Sequence, residues 1–336
     1  MTLMFISRLS ISTMPVIGAL SCILLSSIAM ATQISDNRML AKTGDVIQVR
    51  LDELHPTQVA VGKLQIAGDL DDYARKPEKL LADLCKVQGA GKLEQQNPSS
   101  SPKDPSSYRC TLPAGTDKSA MNTVDIGPGG KIYLTDGHHA FNSFWEASGG
   151  DVRLSVLVGE NLSRDVKGNP VSQTQFEQKM AELKHFLPID AKGNRITFAQ
   201  LPPSLGLKSF QDDPWRSMLY YLRGISYDKS DNNLDPKTGK PYPEVPFLEF
   251  YWGQLLNSKM DLSQYSLSEL AGYISALNDA AQIMTELSPE QHVGDSGKSA
   301  AELGKLDKVY NKKLKKLSEP DSKLAKALAY QASHPQ

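Results

Sequence analysis

The chain has 336 residues, 40% of them hydrophobic, enough for one large core or two modest ones. Lysine and arginine (37) balance aspartate and glutamate (38), so no global basic field exists to recruit nucleic acid. Mean hydropathy is negative, and no long apolar run follows residue 30, which excludes a membrane span beyond the N-terminal segment.

Residues 1–31 read as a secretory signal peptide. Arg8 is the only charge before Asp36, and an apolar run from Met14 to Met30 ends in the small-x-small pattern Ala29-Met30-Ala31. The run is ~17 residues, short for a span, which favours cleavage near Ala31 over an anchor. Cys22 follows a poor lipobox. The expectation is a periplasmic or secreted protein. Removing the leader leaves Cys85 and Cys110, an even pair that reads as one disulfide in an oxidising compartment.

Residues 45–54, DVIQVRLDEL, alternate with period two and predict a strand; a turn follows through Pro56. Residues 73–87 carry helical spacing around Leu80, Leu81 and Leu84. The Pro/Ser-rich stretch 97–107 predicts an insertion or mobile loop. TVDIG and KIYLT flank Pro128-Gly129-Gly130, which is hairpin chemistry. Phe141, Phe144 and Trp145 form a helical stripe ended by Gly149-Gly150, and DVRLSVLV is another strand. Together these predict an α+β unit over residues 44–160.

From 161 to 290 the pattern is mostly helical: SQTQFEQKMAELKHFL, then DPWRSMLYYLRGI with Pro at a first helical position, then PFLEFYWGQLLN. The last helix of this part is expected to start at a Ser266–Glu269 cap. A long polar loop lies between the second and third. Residues 291–336 form a lysine-rich tail, expected to be a solvated helix face or a polyanion contact.

The stretch YLTDGHHAF joins a strand end, an Asp-Gly turn and a helix start. The first N–H groups of a helix lack internal partners and favour an anion, and Gly137 lets a ligand approach the backbone. Thr135 or Asp136 could cap this helix. His138 and His139 could donate to phosphate or act as acid or base. They point about 100 degrees apart, which suits one shared metal poorly. A plain turn with two polar residues is the competing reading. On the next helices, Arg216 and Arg223 stand two turns apart, placed to clamp an anion or to pair with Asp212 or Glu249. Glu249 sits among apolar residues, where a carboxyl either titrates high or finds an arginine.

Two boxes carry a family resemblance: Pro56, Thr57, Gln58 and Gly62, then Tyr133, Asp136, Gly137, His138 and His139. They resemble the ParB-like nuclease family of the ParB/sulfiredoxin superfamily, over about residues 44–290. The resemblance implies a ParB/sulfiredoxin-like domain followed by a mostly helical subdomain. It implies a phosphate floor at Gly137, His138 and His139, faced by Gln58 and Thr57. Arg216 and Glu249 would complete the substrate site, with His138, His139 and Asp136 as the chemical residues. The chain departs from sulfiredoxins, having no cysteine at His138 and no arginine at Ala140. It also lacks the arginine-rich box and helix-turn-helix of ParB proteins. The expected function is an exported nuclease or phosphoesterase; the alternative is a non-catalytic anion-binding protein. The expected partner is a phosphate-bearing ligand or nucleic acid. A divalent metal is compatible with this reading and not required by the sequence.

Overall fold

A computed structural model describes residues 38–229, 234–235 and 238–335. The expected leader, Cys22 and part of the polar loop after Tyr227 lie outside the described residues.

A five-stranded mixed sheet forms the frame, in the order β1 (Val46–Arg50), β8 (Arg153–Asn161), β6 (Thr123–Ile126), β7 (Ile132–Leu134), β2 (Leu54–Pro56). The pairings alternate antiparallel, parallel, antiparallel and parallel along that order. The single strand expected over 45–54 is two strands on opposite sheet edges. A 3-10 turn at Leu51–Glu53 separates them, fastened where the Arg50 N–H donates to Glu53 at 2.7 Å. Such a turn puts i and i+3 on one side, so Leu51 and Leu54 both point inward, at 0% and 1% exposure.

Pro56 is followed by β3 (Ala60–Val61), which pairs in parallel with β9 (Gln211–Asp212). Helix α1 (Lys63–Arg75) runs on from it, a helix the sequence pattern did not indicate. Leu64, Ala67, Leu70 and Tyr73 make its buried stripe. Pro77 opens α2 (Pro77–Val87) and bars helical geometry at Lys76, which ends α1 there. Cys85 on α2 is bonded to Cys110 on β5 (Arg109–Cys110), which pairs with β4 (Leu93–Gln95). Between these strands the expected loop is a set of turns held by its own side chains. Asp104 accepts from Ser106 N–H and Ser107 Oγ donates to Asp104 O.

Hairpin β6–β7 turns at Gly129, φ 68°. Helix α3 (His138–Ser148) leaves β7, and its Phe141 and Phe144 are fully buried under the sheet with α1 and α2. Helix α4 (Gln173–Glu182) starts at a capping box of Ser172 and Gln175.

A second core is helical. It joins α5 (Pro214–Leu222), α6 (Leu248–Asn257), α7 (Leu270–Glu286), α8 (Asn311–Leu317) and α9 (Lys323–Ser333). α5 has Asp213 as its cap and Pro214 at its first position, as expected. α7 begins at Leu270 with no side-chain cap, not at the expected Ser266 cap. In α8 the lysines are exposed while Leu314 and Leu317 are buried. α9 lies along α1, where a Cβ on Gly68 would stand 3.4 Å from Ala327.

Candidate anion cleft

The parallel pairing of β2 with β7 sets Pro56 opposite Leu134. The segment after each strand therefore starts at the same edge, and the two boxes meet there. Gly137 has φ 92°, and a Cβ on it would lie 2.6 Å from Asn122, so only glycine fits. Thr135 bonds Thr123 instead of capping α3, and Asp136 is exposed and accepts from Asn122 at 3.3 Å. No side chain caps α3. Gly137, His138, His139 and Ala140, at its start, line a cleft of about 660 Å³.

His138 and His139 are buried, at 3% and 9% exposure. His138 Nε2 accepts the Thr57 N–H at 3.1 Å, and His139 Nε2 accepts the Gly62 N–H at 3.0 Å. Their divergence on the helix matches two donors five residues apart. An Nε2 that accepts an N–H carries no proton, so each ring holds its hydrogen on Nδ1. Burial pushes His138 down to about 3. Burial, reinforced by the Arg216 guanidinium, holds His139 well below its ordinary value. Both rings are neutral acceptors that staple the first box to α3. While these bonds stand, Nε2 of neither ring is available as a base. Gly62 is confined too, since a Cβ would lie 2.8 Å from Ser217 N.

Thr57 is fully buried, donates from Oγ1 to Leu134 O at 2.7 Å, and does not line the cleft. Gln58 does line it, its side chain held by Ala60 O at 2.6 Å.

Arg216 of α5, Arg223 at its end and Glu249 of α6 line the same cleft. Glu249, 4% exposed, has Arg223 at 2.5 Å, Lys229 at 3.9 Å and Arg216 at 4.0 Å. Arg216 is also held by Gln65 of α1 at 3.0 Å. Burial alone would raise the Glu249 pKa, but Arg216, Lys229 and Arg223 more than reverse this and hold it well below the carboxylate range. Three cations thus surround the one carboxylate of Glu249, and Glu244 lines the same cleft. The Asp212 pairing considered for these arginines is not made; Asp212 instead accepts the Lys63 N–H.

His185, which also lines the cleft, belongs to a pair that the sequence pattern did not single out. Asp125, fully buried on β6, accepts from His185 Nδ1 at 2.6 Å and from Glu160 N–H at 2.9 Å. The carboxylate bond raises the His185 pKa, against a smaller opposing effect of burial. The visible signal was an aspartate inside an apolar strand, TVDIG. Among the described residues, the two non-glycine positive-φ positions, Lys184 and Phe247, both line this cleft. No group of three His, Cys, Asp or Glu residues stands together as a metal donor set among the described residues.

The cleft thus gathers His138, His139, Asp136, Gly137, Gln58, Arg216 and Glu249, and leaves out Thr57. In comparison with known proteins, the family described as "Putative ParB-like nuclease" matches residues 47–258. No curated protein matches the chain. The crystal structure of protein Atu1540 from Agrobacterium tumefaciens is similar at 18% identity and TM-score 0.47, over 72% of this chain and 93% of that one.

Proposed function

Because the chain belongs to the family described as "Putative ParB-like nuclease", we propose that the cleft binds and hydrolyses a phosphate ester, with a nucleic-acid strand as the leading substrate class. The observation that carries this is that Arg216, Arg223 and Lys229 gather around the Glu249 carboxylate in the same cleft that the uncapped start of α3 lines. Helix N–H groups and guanidinium groups converge on one volume, which suits phosphoryl oxygens. Gly137 lets the phosphate reach the backbone, and Gln58 contributes a neutral wall.

In this reading residues 44–160 form the phosphate-binding unit, and the helices of 161–290 close the cleft. The protein acts outside the cytoplasm. The leader pattern of residues 1–31 and the Cys85–Cys110 bond support that location. Mass spectrometry of the protein recovered from the periplasm or medium should give an N-terminus near Thr32.

Fluorescence anisotropy with labelled single-stranded DNA and RNA tests the binding. Affinity should fall steeply with salt, and Arg223→Ala should weaken it about tenfold, the worth of one charge-assisted contact. An absence of binding at low salt refutes the proposal. A second reading, anion binding without turnover, draws on the engagement of both histidine Nε2 atoms with backbone. Incubation with oligonucleotides and p-nitrophenyl phosphate esters, with and without Mg²⁺, separates the two.

A further inference from the structure

We propose that His185, oriented by Asp125, is the general acid of this cleft. The proposal rests on the phosphate-ester reading and supplies the proton-transfer group that His138 and His139 do not. Four observations support it independently of the two sequence boxes.

Asp125 is fully buried, yet its carboxylate is turned toward a ring that is 27% exposed and lines the cleft. The aspartate is held rigidly. β8 has one extra residue, Gly159, between the partners of Val124 and Asp125. That bulge leaves the Glu160 N–H to donate to Asp125 Oδ1, while Oδ2 faces His185. A Cβ on Gly159 would stand 3.1 Å from Oδ1, so any larger residue there would press on the carboxylate.

The histidine is held as firmly. α4 ends in a Schellman turn: Lys184 N–H donates to Ala181 O and His185 N–H to Met180 O. The left-handed position, where glycine is usual, is Lys184 at φ 58°. The chain thus keeps a strained residue beside His185, as is common where a side chain must be aimed. With Nδ1 bonded to the carboxylate, Nε2 is the ring atom left to meet a ligand. The Asp125 bond raises the ring's pKa and so favours its protonated form, which is the form an acid needs.

The step is a hydrolysis. Water adds to phosphorus and its proton passes to solvent. The P–O bond to the leaving ester oxygen breaks, and that oxygen takes the proton from His185 Nε2. Solvent then reprotonates the ring, so one water yields one alcohol and one phosphate with a P–OH.

The test uses the whole mature protein with two readouts, anisotropy for binding and gel or chromogenic assay for cleavage. The probes are labelled single-stranded DNA and RNA and bis(p-nitrophenyl) phosphate. His185→Gln should cleave about a hundredfold more slowly or worse while binding the oligonucleotide no more than about tenfold more weakly, so that the loss falls mainly on cleavage. Asp125→Asn should lower cleavage in the same direction. Its fold would be checked by circular dichroism, and His185→Gln stands alone if that variant fails to fold. A nitrophenyl ester, whose leaving group needs little protonation, should lose less rate than the oligonucleotide in His185→Gln. Cleavage by His185→Gln at the wild-type rate overturns the proposal and leaves the phosphate-ester reading standing. Binding by the wild type without cleavage of any probe also overturns it. Failure of the wild type to bind overturns the underlying reading as well.

Discussion

Replacing His138 by glutamine removes a titrating ring while keeping an oxygen that can accept the Thr57 N–H. In the unfolded chain this histidine takes a proton near 6.5; in the folded protein burial delays that to about 3. The folded pKa is depressed, so the unfolded state binds more protons between those values. The stability contribution is therefore complete above pH 6.5 and is lost as pH falls below it. At ~1.4 kcal/mol per pH unit, His138 should cost wild type about 2 kcal/mol between pH 7 and pH 5. The wild-type curve alone hides this. Burial pushes Asp69 and Asp213 up to about 6, and those groups regain stability as pH falls through that value. The comparison with His138→Gln cancels them. Urea unfolding followed by tryptophan fluorescence at pH 7 and pH 5 gives the two differences. The variant should be the weaker protein at pH 7, by about 1 kcal/mol of lost fit. At pH 5 the gap should have moved about 2 kcal/mol in its favour. An identical gap at both values would show that His138 is not a buried neutral acceptor.

Glu249→Gln should destabilise the fold by about 3 kcal/mol, because it strips the carboxylate from three neighbouring cations. The same substitution should tighten oligonucleotide binding and steepen its salt dependence by about one charge; weaker binding would contradict an anion site among these cations. Gly62→Ala puts a methyl 2.8 Å from Ser217 N and Oγ and should cost about 2 kcal/mol, read as a lower Tm. Removing both cysteines, Cys85→Ala with Cys110→Ala, opens a loop with a sequence separation of 25 and should cost about 3 kcal/mol in urea unfolding. Oligonucleotide binding should survive that change, since neither cysteine lines the cleft.

What could be read from sequence had a local physical signature. The β6–β7 hairpin showed in Pro128-Gly129-Gly130, α4 in the helical spacing of SQTQFEQKMAELKHFL, and α5 in Asp213-Pro214. Arg216 and Arg223 showed in a two-turn spacing that does bring both to Glu249. The break between β1 and β2 left no trace, because the 3-10 turn keeps Leu51 and Leu54 facing inward as a run of apolar residues. α1 was hidden by Gly68 and Asp69 in its middle; one admits α9, and the other binds Ser143. The Asp125–His185 pair spans 60 residues, and neither partner alone signals the other. The histidine staples could not be foreseen, since a backbone N–H is the same at every position.

The two stapled histidines also account for the character of the cleft floor. Thr57 and Gly62 bring buried N–H groups against the start of α3, and a buried donor without an acceptor is costly. α3 cannot offer carbonyls there, because its own point toward the other end of the helix. Side-chain acceptors are required, and carboxylates would serve the hydrogen bonds equally well. They would also set negative charge at the positive end of the helix, inside a cleft walled by Arg216, Arg223 and Lys229. Neutral imidazoles satisfy both donors and leave the helix end free to attract an anion. Their low pKa values suit this role, since a ring that protonated would lose its acceptor and release the first box. A group fixed in that way is poorly suited to moving protons. On the proposed function, His138 and His139 build the floor and proton transfer falls to His185 in the same cleft.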